Sequence, residues 1–166
     1  PEEANRQLTG VLSNVNFAPT ETARGNLLRE SKDDKNIYVV GNTVIDALLA
    51  TVKKDYHFED AELEAIEEHK RVILVTTHRR ENLGAPMHHV YRALRRLVEA
   101  VPDTEVVFPV HRNPLVREAV SKELEGVAGI HLVEPMEYEP FTNLMARSAI
   151  VLTDSGGIQE ELSLIH

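Results

Sequence analysis

Three short polar clusters hold the residues most able to do chemistry: Thr77-His78-Arg79-Arg80-Glu81-Asn82, His111-Arg112-Asn113 and Asp154-Ser155-Gly156-Gly157. Between the last two lies Glu134 to Phe141, also polar. Adjacent glycines let a backbone approach a ligand that any Cβ would push away. If a helix begins there, its first N–H groups, with the dipole behind them, suit a phosphate. Ser155 is a natural N-cap, but the residue three further on is Ile158, so no capping box closes. The Ser155 hydroxyl and the nearby amides are thereby left for a ligand. Arg79 and Arg80 offer forks of donors, and His78 can donate a hydrogen bond or carry a charge. Glu160 and Glu161 would repel a phosphate at close range, yet a glutamate one turn up can accept from both hydroxyls of a ribose. The combination points to a nucleotide diphosphate rather than inorganic phosphate.

Plainer readings stand beside these. Ser-Gly-Gly also serves as a tight strand-to-helix turn, the Arg79-Arg80-Glu81 charges as a solvated loop, and His111 as a structural histidine. His88 and His89 fall inside a predicted helix and read as surface residues. A metal site from His78, Glu81 and His111 lacks the helical spacing of two histidines and a glutamate that metalloproteases use, so no metal is assigned.

The elements that must position these groups follow a regular alternation. Val72 to Val75, Glu105 to Val110, Ile130 to Val133 and Ala149 to Thr153 read as strands. The first is near-continuously apolar, as a strand covered on both faces requires. Pro109 suggests that the second leaves the ladder at its end. Helices are predicted from Pro86 to Ala100, from about Pro114 to Glu125, from Pro140 to Arg147, and from Ile158 onward. Such spacing means βαβ units and a parallel, doubly wound sheet, in which ligands bind beyond the carboxyl ends of the strands. All the polar clusters fall at those ends. Upstream, Glu2 to Ser13 has helical spacing and Val15 to Phe17 is short and apolar. Thr20 caps a helix through Leu28, Ser31 to Asn36 is a loop, Ile37 to Val40 a strand, and Thr43 to Val52 a helix. Residues 53–70 are charged and loosely helical, anchored by Leu63 and Ile66.

The whole chain of 166 residues carries a net charge of −9 and no cysteine. That balance argues against a protein that binds DNA or RNA through its backbone, although local arginines can still hold a nucleotide. Disulfides and thiolate–metal sites are excluded. Apolar residues make up 42% and charged residues 27%, the balance of an ordinary globular chain. No apolar run is long enough for a membrane span, and the N-terminus does not read as a signal peptide. A cytoplasmic protein without membrane or nucleic-acid partners is expected. The opening Pro1-Glu2-Glu3 without Met, and an end in the first turns of a helix, read as a piece of a larger protein.

Six motifs then carry a resemblance: Pro1-Glu-Glu-Ala-Asn-Arg-Gln-Leu-Thr9, Phe17-Ala-Pro-Thr20, Gly41-Asn-Thr-Val-Ile-Asp46, His78-Arg-Arg-Glu-Asn-Leu83, Pro109-Val-His-Arg-Asn-Pro114 and Thr153-Asp-Ser-Gly-Gly-Ile-Gln-Glu-Glu161. In that order, over nearly the whole chain, they closely resemble the bacterial non-hydrolysing UDP-N-acetylglucosamine 2-epimerases. The resemblance implies a glycosyltransferase-B-type α/β fold, with the active site between two Rossmann-like domains. Residues 1–36 would end the N-terminal domain and 37–70 would form an inter-domain strand, helix and connection. Residues 71–166 would form the nucleotide-binding C-terminal domain. It implies interconversion of UDP-N-acetylglucosamine and UDP-N-acetylmannosamine, by loss of UDP and its re-addition with C2 inverted, with no cofactor. It further implies that Ser155, Gly156 and Gly157 hold the phosphates and that Glu161 holds the ribose. His78 lies beside the diphosphate, Met136 and Phe141 lie near the uracil, and Glu2 is an acid/base carboxylate. Arg79 and His111 match a second, regulatory UDP-sugar site, and the full-length protein is expected to be a homodimer.

The departures bear on activity. The family's other catalytic carboxylates would precede Pro1, and after Glu161 the family usually continues Ala-Pro-Ser-Leu-Gly-Lys-Pro, where this chain reads Leu162-Ser-Leu-Ile-His166. The isolated segment is therefore expected to be inactive. The rival readings are a sugar transferase of the same fold and a UDP-sugar-binding module without chemistry.

Overall fold

The computed structural model describes residues 1–79 and 82–162. The chain divides into two units, Pro1–Leu49 and Ala50–His166. The division falls inside the 37–70 stretch read from the sequence as an inter-domain connection.

The first unit contains α1 (Glu2–Leu12), β1 (Asn16–Ala18), α2 (Glu21–Arg29), a 3-10 turn (Asp34–Asn36), β2 (Ile37–Val39) and most of α3 (Thr43–Thr51). β1 and β2 are parallel, with Phe17 beside Tyr38 in register. Thr20 caps α2 as predicted, its hydroxyl accepting the Ala23 N–H at 3.1 Å. The 31–36 segment is not wholly loop, because the Asp33 side chain accepts the Lys35 N–H and starts the short turn. Glu3 bonds Arg6, and this contact, followed by the Gln7 amide, holds the Glu3 carboxyl down at about 2.

The second unit begins with α4 (Ala61–Glu64) and continues β3 (Arg71–Thr76), α5 (Ala85–Ala100), β4 (Thr104–Pro109), α6 (Pro114–Leu124), β5 (Ile130–Val133), α7 (Tyr138–Arg147), β6 (Ile150–Thr153) and α8 (Gly156–Leu162). Its four strands are parallel in the order β5-β4-β3-β6. Side chains on successive strand residues point to opposite faces, and the burial follows. Ile73, Val75, Val106 and Phe108 join Met87, Tyr91 and Leu94 of α5 and Val116, Val120 and Leu124 of α6 in one core. α7 packs on β3 and buries Leu144 and Met145. Val72 to Thr76 are all buried, as the sequence pattern requires. Each large apolar side chain removed from water here contributes about 1.5–3 kcal/mol.

Four sequence expectations shift. The 53–70 segment is helical only at Ala61–Glu64, where the Asp60 side chain accepts the Glu62 N–H, although Leu63 and Ile66 are its buried anchors. Pro109 remains in register with Val133 of β5, while the β3 ladder stops at Val107. A residue without an N–H is tolerated because only one side of the strand is still paired there. α7 starts at Tyr138 rather than Pro140, and α8 starts at Gly156 rather than Ile158.

Candidate functional site

The chain builds β3, β4 and β5 outward in one direction, then returns to lay β6 on the other side of β3. The order therefore reverses between β3 and β6, where such sheets open a crevice beyond the carboxyl ends of the strands. Thr76 and Thr153 end those two strands in register, and their hydroxyls bond at 2.7 Å. The Asp154 N–H donates to the Thr76 carbonyl at 3.3 Å. The Ser155 N–H donates to the Thr153 hydroxyl at 3.0 Å, so this amide is not left for a ligand as the sequence had suggested.

Asp154 then reaches across the crevice. Its carboxylate accepts the backbone N–H groups of His78 at 3.1 Å and Arg79 at 3.0 Å, and the Asn82 side-chain amide at 3.0 Å. His78 Nδ1 lies 3.3 Å from Oδ1, and the Asp154 side chain is only 13% exposed. Burial alone would raise its pKa. The Arg79 N–H, the Asn82 amide, the His78 N–H and the His78 ring together outweigh that, and the carboxyl titrates below the usual aspartate value. One residue earlier, the Thr77 hydroxyl bonds the hydroxyl of fully buried Tyr91 at 2.9 Å, and burial pushes that phenol's pKa up. The loop carrying His78 and Arg79 is thus pinned on both sides.

Several predicted groups converge here. The His78 and His111 rings stack, with centroids 5.6 Å apart and planes 17° from parallel. His111 Nδ1 accepts the Asn113 N–H at 3.1 Å, so a neutral His111 carries its proton on Nε2. Asn113 in turn caps α6, accepting the Leu115 N–H at 3.0 Å ahead of Pro114. A Cβ on Gly156 would sit 3.7 Å from Arg79 Nη2, so the guanidinium lies beside that glycine.

The glycines bear on the turn reading. Neither Gly156 nor Gly157 has a positive φ, and a Cβ on Gly157 would meet none of the described residues within 4 Å. The turn itself therefore has no need of glycine at either position. The room they leave opens outside the chain. Gly157 and Glu161 stand one turn apart on the same face of α8, and burial raises the Glu161 pKa.

The remaining predicted residues lie elsewhere in their own units. Glu2 is exposed in the first turn of α1, in the other unit. Met136 is half-buried and lines a cavity of about 540 Å³ with Tyr56, Phe58, Leu63 and Val133; Phe141 is not in its wall. Phe141 is half-buried in the first turn of α7, its N–H bonded to the Glu137 carbonyl. Arg80 and Glu81 lie outside the described residues, and with them the solvated-loop and metal readings of that run. Among the described residues no group of three metal-ligating side chains forms a site, and no helix is long and apolar enough to cross a membrane. His88 is not a plain surface residue, since its ring bonds Glu123 at 2.9 Å and ties α5 to α6. Sequence reasoning missed the tethering roles of Thr76, Asn82, Tyr91, Thr153 and Asp154. Their one readable signal is a pair of strand-ending threonines with an aspartate directly after the second.

The family model described as UDP-N-acetylglucosamine 2-epimerase matches residues 1–166. The chain belongs to that family. It is 50% identical over 161 residues to the UDP-N-acetylglucosamine 2-epimerase of Bacillus subtilis, covering 97% of this chain and 42% of that protein. Among solved structures it resembles the S. aureus MnaA–UDP co-structure at a TM-score of 0.81 and 45% identity, covering 97% of this chain and 43% of that one. It also resembles the Neisseria meningitidis UDP-GlcNAc 2-epimerase bound to UDP-GlcNAc, at a TM-score of 0.77 and 43% identity, covering 99% of this chain and 46% of that one. The chain thus spans less than half the length of these epimerases. Its parallel, Rossmann-like sheet with helices on both faces is that of the family's glycosyltransferase-B-type fold.

Proposed function

We propose that the full-length protein containing this segment interconverts UDP-N-acetylglucosamine and UDP-N-acetylmannosamine. A carboxylate abstracts the C2 proton, the C1–O bond breaks, and UDP leaves with the bonding pair to give a glycal. Re-addition of UDP at C1, with a proton delivered to the opposite face of C2, completes the inversion. Proton abstraction needs a base within about 3 Å, a role assigned to Glu2 and to carboxylates outside this segment. Loss of UDP needs donors aimed at the growing charge on the diphosphate. His78, the Ser155 hydroxyl and the α8 amides at Gly156 and Gly157 supply them, and Glu161 holds the ribose. Met136 and Phe141 flank the uracil. Arg79 and His111 border a second, regulatory UDP-sugar, and the full-length protein works as a homodimer.

The observation that carries this reading is the room at Gly157. Among the described residues no contact requires it, and it lies on the helix face that also bears Glu161, at the sheet's switch point. Family membership supplies the substrate. The decisive experiment incubates the full-length protein with UDP-N-acetylglucosamine in D2O. UDP-N-acetylmannosamine carrying deuterium at C2 is expected. Hydrolysis, or transfer to an acceptor without C2 exchange, would assign the protein to a transferase, and binding without exchange would leave a sugar-nucleotide module.

A further inference from the structure

We propose that Asp154 is a positioning residue for His78, fixing the imidazole and the backbone beneath it so that Nε2 is the ring nitrogen presented to the diphosphate. This rests on the functional reading above, in which His78 faces the departing UDP.

Two backbone N–H groups, one side-chain amide and one imidazole nitrogen converge on the Asp154 carboxylate, from His78, Arg79 and Asn82, while its own backbone belongs to the opposite side of the switch point. A carboxylate accepts at both oxygens without donating, so it alone among side chains of this size satisfies every one of these donors. An amide would turn an NH2 group toward N–H groups. The crevice between β3 and β6 is thus closed by one side chain, and the loop it holds is the loop that carries His78.

The ring is the second part. With Nδ1 at 3.3 Å from Oδ1, the carboxylate favours the proton of a neutral His78 on Nδ1, which leaves Nε2 for a ligand. The ring is 43% exposed, so a ligand can reach it. Contacts of this kind are often long in a ligand-free site and tighten in the complex. Uptake of a proton from solvent at Nε2 gives an imidazolium balanced by Asp154, and that Nε2–H donates to the negative charge growing on the leaving UDP. A carboxylate that holds a histidine in the correct tautomer and stabilises its charged form is a general device of histidine chemistry. The neighbouring groups fit this assignment. Stacked His111, its ring centroid 5.6 Å away, already spends Nδ1 as an acceptor from the Asn113 N–H.

The test compares Asp154→Asn, His78→Gln and the double variant in the full-length enzyme. Asp154→Asn is expected to lower kcat about 10- to 100-fold, as removal of an outer partner of a functional histidine does, with the Kd for UDP within about threefold of wild type. In the His78→Gln background the same change is expected to cost little more, because residues acting as a unit are non-additive. Nitrogen-15 NMR of the His78 ring should show an Nδ1 proton in the wild type and lose it in Asp154→Asn. Unchanged kcat in Asp154→Asn overturns the inference, as does an equal loss in both His78 backgrounds. A UDP affinity that falls in step with kcat also overturns it, since that marks a merely structural loop tether. If the wild type does not epimerise UDP-N-acetylglucosamine yet shows the Asp154-dependent Nδ1 proton, the functional reading falls and the positioning stands.

Discussion

Replacing Gly157 with alanine separates what the fold needs from what the ligand needs. The backbone there has no positive φ, and the added methyl would meet no atom of the described residues within 4 Å. Alanine is preferred to glycine in a helix by about 0.5–1 kcal/mol, and a first-turn position takes the lower end of that range. Without ligand, Gly157→Ala should therefore unfold at slightly higher temperature or urea. The UDP effect should run the other way, because a methyl pushed into a close backbone approach costs about 1–3 kcal/mol of packing, or roughly 5- to 150-fold in Kd. At UDP fixed at about 100 times the wild-type Kd, ligand stabilisation is about 2.7 kcal/mol, and it would fall to about 1.4 kcal/mol for a tenfold weaker variant. Paired melts of the full-length enzyme, with and without UDP, read both effects from one sample. A lower ligand-free midpoint would mean that the turn requires glycine after all. A raised midpoint with an undiminished UDP increment would mean that the open face of Gly157 is not where the diphosphate sits.

Three further outcomes follow from the same contacts. Tyr91→Phe strands the Thr77 hydroxyl next to the site and should cost about 1 kcal/mol of stability, read by urea denaturation, with a smaller loss of kcat than Asp154→Asn. Asn113→Ala removes the α6 cap and should cost about 0.5–2 kcal/mol while altering the backbone that holds His111; ring chemical shifts of His111 report it. The third outcome concerns acid. Asp154 titrates below its unfolded value, so its contribution is fully present above about pH 3.9 and is lost as pH falls through the folded value. Glu161 is raised by burial and works in the opposite sense, since ionising it costs stability as pH rises through its folded value. The difference in urea midpoint between wild type and Asp154→Asn should therefore narrow below about pH 4, and a difference that is flat down to pH 2 would refute the assignment.

The parallel sheet was legible most clearly at β3, where Val72 to Val75 are buried on both faces and so read as a continuous apolar run. The order β5-β4-β3-β6 was not, since nothing in β-branched runs says which strand lies beside which. For the same reason the polar clusters could be assigned to one edge of the sheet but not to neighbours within it. Residues 53–70 misled because charged residues of good helix propensity fill a segment held by tertiary contacts instead. There Glu64 bonds both His57 and the Phe58 N–H, and Arg147 of α7 bonds the Ile66 carbonyl.

The site divides along the same line. The groups proposed to meet a ligand announce themselves by type, as His78, Arg79, Gly156 and Gly157 do, because a diphosphate demands donors and room. Groups that hold those groups do not, because a threonine or aspartate at the end of a strand is also an ordinary turn residue. Asp154 sits inside the motif that drew attention to the glycines, yet its donors come from residues about 75 positions earlier in the chain. Only the return of β6 to the far side of β3 makes them neighbours. The reversal that opens the crevice is thus also what supplies the carboxylate that closes its back, so a change in strand pairing would remove the pocket and the His78 support together. Thr76 and Thr153, bonded across that reversal, are where such a coupling would first be felt.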